Sequence, residues 1–178
     1  MLSFLLLSDS KHNGIIDFLN ERGSVSWSNS KLSLDVFLKH DWIISYGYRH
    51  LINQQIIDKI KNPIINLHIS YLPFNRGSYP NYWSFKENTP KGVSIHFIDT
   101  GIDTGPILIQ KKIIFGKTET LESSYQKLKI EIENLFYNSF EKIINNEIEA
   151  RPQIGKGTFH LKSSLPKEIN WKTNINEI

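Results

Sequence analysis

Hydrophobic positions in the first seventy residues come in short continuous runs separated by amphipathic stretches. Ser3–Leu7 and Trp42–Tyr46 (Trp-Ile-Ile-Ser-Tyr) are apolar at nearly every position, the pattern of strands buried on both faces. Ser24–Trp27 is a shorter candidate strand, and Pro63 stops a helix ahead of a further strand at Ile64–Leu67. Between them, Asn13–Glu21 turns Ile15, Ile16, Phe18 and Leu19 inward and closes at Gly23. Leu32–Lys39 and Gln54–Ile60 read as short helices. A loop follows from His68 to Ser78, broken by Pro73, Asn75 and Gly77. Tyr82–Lys86 is a helix entered through Pro80. Gly92–Ile98 and Ile107–Ile114 are strands joined by a turn-rich connection. The longest helix spans Thr120–Glu147, where Leu121, Tyr125, Leu128, Ile132, Leu135, Phe136, Phe140, Ile143 and Ile144 recur at steps of three and four. Residues from Ala150 to Ile178 are irregular, either an ordered edge extension or a partly mobile tail.

Strand–helix alternation as far as Leu67 predicts an α/β fold of right-handed βαβ units with a mostly parallel sheet. Ligands in such sheets bind beyond the carboxyl ends of the strands. That rule places Ser8, Gly47–His50 and His68 on one rim. The loop holding Asp103 joins them if the later strands extend the same sheet.

At 178 residues, 39% hydrophobic and 22% charged, the chain reads as one globular domain with a real core. A net charge of +3 suits a small anionic ligand and is too weak to argue for nucleic acid. With no cysteine, thiolate metal sites and a disulfide scaffold are excluded. Met1–Leu7 is too short to span a bilayer and lacks the basic residue that opens a signal peptide, so a cytoplasmic protein without a membrane role is expected.

The candidate chemistry lies in Asn66-Leu67-His68 and in Asp103-Thr104-Gly105. In extended backbone, residues 66 and 68 point to the same face. Asn can donate to an oxyanion, His can carry a proton, and Asp can orient and charge the His, the set that acyl transfer to an amine needs. Alternatively, Asn66 satisfies local backbone and His68 caps a turn. Asp99 in its glycine-rich loop reads as a turn former, and His96 reads as a core histidine. Arg76 could meet a phosphate or a surface carboxylate. Trp83 reads as packing. No dinucleotide or P-loop glycine motif, zinc helix or serine elbow occurs.

Asn66-Leu-His-Ile-Ser-Tyr-Leu-Pro-Phe-Asn-Arg-Gly77, Pro90-Lys-Gly-Val-Ser-Ile-His96, Asp103-Thr-Gly-Pro-Ile107 and Gln110 together resemble the formyltransferase family. Its members include glycinamide ribonucleotide transformylase, methionyl-tRNA formyltransferase and the sugar N-formyltransferases. The resemblance covers roughly Trp42 to Ile114. It implies a Rossmann-like formyltransferase fold with N10-formyltetrahydrofolate as formyl donor and no metal. It also implies catalytic roles for Asn66, His68 and Asp103, and a folate pocket at Arg49, His50, Leu51, Ile98 and Asp99. On this basis residues 1–150 form a catalytic domain with a shortened N-terminal part, and 151–178 a C-terminal extension.

Ser8-Asp9-Ser10-Lys11-His12 replaces the phosphate loop of the glycinamide enzyme, and residues after Ala150 are too few for the second domain of the tRNA enzyme. The Tyr71–Gly77 phrase, with Pro80-Asn-Tyr-Trp83, looks most like the sugar enzymes. The implied substrate is therefore a nucleotide-linked amino sugar, commonly a dTDP-4-amino-4,6-dideoxyhexose, with Asn75, Arg76 and Tyr79 as candidate contacts. A formyltetrahydrofolate hydrolase, a transferase for another amine and a non-catalytic binding module are the alternatives. A homodimer is a further expectation.

Overall fold

The computed structural model describes residues 1–178. Six strands form one sheet in the order β2-β1-β3-β4-β6-β7. Its parallel part is β1 (Leu2–Ser8), β2 (Gly23–Ser28), β3 (Trp42–Tyr46) and β4 (Ile65–His68). Helices α1 (Asn13–Asn20), α2 (Leu34–Phe37) and α3 (Gln54–Ile57) make the crossovers. The two short helices end earlier than their apolar patterns suggest, each finishing in tight turns such as Lys39 N–H to Val36 O and Lys59 N–H to Ile56 O.

The later strands do extend the sheet. β6 (Gly92–Phe97) pairs antiparallel with β4, and β7 (Ile107–Lys112) antiparallel with β6. Between β4 and β6 lie the two-residue strand β5 (Arg76–Gly77) and helix α4 (Pro80–Lys86). Helix α5 (Leu121–Ile144) starts at a capping box, with Thr120 accepting from the Ser123 N–H and the Ser123 hydroxyl from the Thr120 N–H. The segment after Ala150 is an edge extension. Ile107 and Arg151 exchange backbone bonds, and β8 (Phe159–His160) pairs parallel with β5. No helix is long and apolar enough to cross a membrane.

Alternation along the strands divides the core. Phe4, Leu6, Ile44, Ile65, Leu67, Val93 and Ile95 pack with Ile15 and Leu19 of α1 and with Leu128, Ile132, Phe136 and Phe140 of α5. On the opposite face Leu5, Leu7 and Ile43 pack with Phe37, Ile56 and Ile64 and with partly buried side chains such as Leu34, Ile52 and Ile98. That second layer is thin because α2 and α3 span four residues each. Along the same face the side chains turn polar, at Ser45, Asn66, His68, Ser94 and His96, all buried. A buried polar row of this kind needs partners or a ligand.

Candidate active site

Register explains where the polar row leads. β4 pairs with β3 only through Ile44–Ile65 and Ser45–Asn66, so it begins near the end of β3 and runs past it. His68 thus projects beyond the carboxyl end of the parallel sheet. Across the antiparallel ladder Asn66 lies opposite His96, and His68 opposite Ser94. Directly opposed side chains share a face, which brings His96 into the site instead of leaving it a plain core residue.

The loop from Ile98 to Pro106 folds back over this face. Asp103 holds a left-handed backbone, with φ 53°, a conformation an Asp can adopt at modest cost. Gly105 lets the loop close, because a Cβ there would sit 1.9 Å from the Phe97 carbonyl oxygen. Asp103 Oδ2 accepts the Gly77 N–H at 2.8 Å, and Oδ1 accepts from Asn66 Nδ2 at 3.3 Å. Oδ1 also approaches His68 Nδ1 at 3.6 Å and His96 Nε2 at 3.7 Å.

Tautomers follow from the partners. His96 Nδ1 faces the Phe97 carbonyl at 2.8 Å and so carries its proton there. His96 Nε2 is then the acceptor for Asn66 Nδ2 at 2.9 Å, which holds the amide in place. His68 Nε2 faces the Asn75 carbonyl at 3.2 Å and donates to it, leaving Nδ1 turned toward Asp103. Burial lowers the His68 pKa, while the Asp103 charge works against that shift. For Asp103, burial pushes upward but is outweighed. The charge of its neighbour His68 and the Gly77 N–H hold the carboxyl below the usual range.

A cleft opens over this base. Ser45, Asn66, His96 and Asp103 form its polar floor, and the 48–52 and 98–103 segments form its walls. Among the expected cofactor residues, His50, Leu51, Ile98 and Asp99 line it. Leu51 and Ile102 stand exposed at its mouth, at 78% and 41%. Apolar rims beside loop backbone fit a flat heterocycle with hydrogen-bonding edges. Arg49 is not among the lining residues; its guanidinium pairs with Asp9 at 3.3 Å. Asp99 lines the cleft with its carboxylate engaged in its own loop, accepting from Gly101 N–H and the Thr104 hydroxyl, as a turn former does.

The candidate substrate contacts separate further. The Asn75 side chain is fully buried and bonded to Thr89 and Thr158, so it builds the loop; its carbonyl, not its amide, meets His68. Arg76 pairs with no surface carboxylate. Its guanidinium donates to Gln153 Oε1 at 3.0 and 2.6 Å. Tyr79 remains half-exposed, near Trp171, on a left-handed backbone with φ 54°. Strained backbone at a bulky residue is a mark of functional surfaces. Trp83 stacks flat on His160 at 4.2 Å, which is packing. No group of three or more acidic or His side chains is arranged as a metal site.

Residues 29–139 match the model of the formyl transferase family. The chain belongs to that family. It is 37% identical to the formyltransferase PseJ from Anoxybacillus kamchatkensis, crystallised with UDP-4,6-dideoxy-4-formamido-L-AltNAc and tetrahydrofolate. That alignment covers 98% of this chain and 96% of the other, with a TM-score of 0.90. The methionyl-tRNA formyltransferase of Thermodesulfovibrio yellowstonii is 33% identical over 144 residues, 79% of this chain and 46% of its own length. A dTDP-4-amino-4,6-dideoxyglucose formyltransferase from Mycobacterium bovis is 26% identical over 131 residues, covering 74% and 55%. The chain thus spans about half the length of the curated relatives it matches and nearly all of PseJ.

Proposed function

We propose that the chain transfers a formyl group from N10-formyltetrahydrofolate to the amine of a nucleotide-linked 4-amino-4,6-dideoxy sugar. The observation that carries this reading is the meeting of Asn66 and Asp103 on the floor of a cleft with apolar rims, with His68 Nδ1 3.6 Å from the Asp103 carboxylate. The near full-length similarity to PseJ favours UDP as the carrier over the dTDP that the sequence alone suggests. The folate supplies the formyl group; everything else is protein chemistry.

Asn66, on the cleft floor, supplies the N–H donor for an acyl oxygen that gains negative charge when an amine attacks, and His68, beside Asp103, handles the proton. The Asn66–Asp103 bond, at 3.3 Å, is the weaker of the two Asn66 donations and the one open to exchange. Burial, the larger influence, lowers the His68 pKa, and the Asp103 charge opposes it, so the ring takes up a proton as charge develops and gives it up readily afterwards. Asp103 keeps Nδ1 oriented and favours the protonated form as charge develops.

The test is to incubate the protein with N10-formyltetrahydrofolate and UDP- or dTDP-linked 4-amino-4,6-dideoxy sugars. The expected result is tetrahydrofolate release matched by formylated sugar nucleotide, fastest with UDP. Absence of release with every amino sugar sinks the reading, and release without any amine identifies a hydrolase instead.

A further inference from the structure

Gln153 lies outside the constellation, in a stretch without regular structure, yet its carboxamide joins three segments of the site. Nε2 donates to the carbonyls of Asp103 and Gly105, both at 2.8 Å. Oε1 accepts from Arg76 Nε and Nη2. The amide orientation is set by these partners, since a guanidinium can only donate and a carbonyl can only accept. Both amide hydrogens and the oxygen are therefore engaged. The adjoining bond from Gly77 N–H to Asp103 Oδ2 closes a ring through residues 76–77, 103–105 and 153.

We propose that Gln153 is a positioning residue for the transfer reaction, holding the Asp103 peptide so that its carboxylate reaches Asn66 and His68. The inference rests on the formyl-transfer reading for its chemistry and on the hydrogen-bond ring for its geometry. No other side chain bonds the carbonyl of Asp103 or Gly105, and the loop they belong to carries a left-handed residue at Asp103. The carboxamide is required for a definite reason. A carboxylate of the same shape would keep the Arg76 contact but face two carbonyl oxygens with negative charge. A methionine of similar length would lose both sides.

The experiment compares wild type, Gln153→Glu and Gln153→Met in turnover and in the NMR titration of His68, with thermal unfolding confirming that each protein is folded. Both variants are expected to lose about 10- to 100-fold in kcat, the scale of a displacement of about 1 Å at reacting groups. KM for donor and sugar should change less than kcat, because Gln153 touches the 98–103 wall only at its Asp103 end. His68 is faced by Asp103, His96 and the Asn75 carbonyl. Displacing Asp103 removes the one charge that favours its protonation, so its titration midpoint should fall in Gln153→Met, which brings no charge of its own. In an Asp103→Asn background, Gln153→Glu should cost under twofold more. Wild-type kcat in both folded variants, or a full additional loss in that background, overturns the proposal. If wild type formylates no sugar, the functional reading fails by itself, and the His68 midpoint in Gln153→Met decides: a fall supports Gln153 as the positioning group, and an unmoved midpoint overturns it.

Discussion

Replacing Asp103 with Asn tests the centre of the site, since it preserves shape and removes one charge. Asp103 Oδ1 lies 3.6 Å from His68 Nδ1 with both side chains largely buried, at 15% and 10% exposure. At an effective dielectric of about 20, unit charges at that separation attract by about 4–5 kcal/mol. The full value applies only to a fully protonated His68, so a loss of about 3–4 kcal/mol in the transition state is expected, or several hundredfold in kcat. A second effect comes from hydrogen bonding. Both carboxylate oxygens accept, Oδ2 from Gly77 N–H and Oδ1 from Asn66 Nδ2. An amide must set its own NH2 against one of those donors, which costs about 1–3 kcal/mol of stability. Tetrahydrofolate release under saturating donor and sugar measures the first effect, and urea unfolding the second. A kcat within tenfold of wild type, in a protein that unfolds at lower urea, would show that Asp103 shapes the loop without acting on His68.

Three further perturbations probe the frame. Gly105→Ala places a methyl group 1.9 Å from the Phe97 carbonyl oxygen; activity should drop about 100-fold or more as the loop moves, while far-ultraviolet circular dichroism stays unchanged. Phe136 is completely buried against Phe18 and Phe140, so Phe136→Ala should cost about 3–5 kcal/mol in urea unfolding. Asp41, bonded to Lys61 and Ser3, is lowered to about 2. A depressed carboxylate stabilises the fold above its ordinary pKa of 3.8 and loses that contribution as pH falls toward about 2. Asp41→Asn should accordingly flatten the acid side of the stability profile.

The strand runs were legible because burial on both faces leaves an uninterrupted apolar signal, and β1, β3 and β4 lie where those runs predict. The long helix announced itself by its period, though the structure ends it at Ile144, ahead of the expected Glu147. Strands β5 and β8, two residues each, have no pattern long enough to register and exist only because they pair with one another. Asn66 and His68 share a face, as their spacing requires. His96 is a buried histidine with a satisfied nitrogen, and register adds its neighbours: with β6 antiparallel beside β4, Ser94 and His96 face the same side as Asn66 and His68.

Asn75 and Arg76 show what a local pattern leaves out. A polar loop residue in sequence suggests a ligand contact, yet the amide and the guanidinium here serve the loop itself, through Thr89, Thr158 and Gln153. The physical reason is general. A loop that turns two polar segments back over a sheet buries backbone carbonyls that the sheet cannot satisfy, and side chains from distant segments must meet them. Gln153 does so for carbonyls 50 and 48 residues earlier. The demand for a carboxamide at that position arises only after both segments are folded together, so neither periodicity nor local motif could register it. The residues that build such a site are therefore found by asking which buried carbonyl lacks a partner, and that question is what separates Gln153 from the exposed polar residues around it.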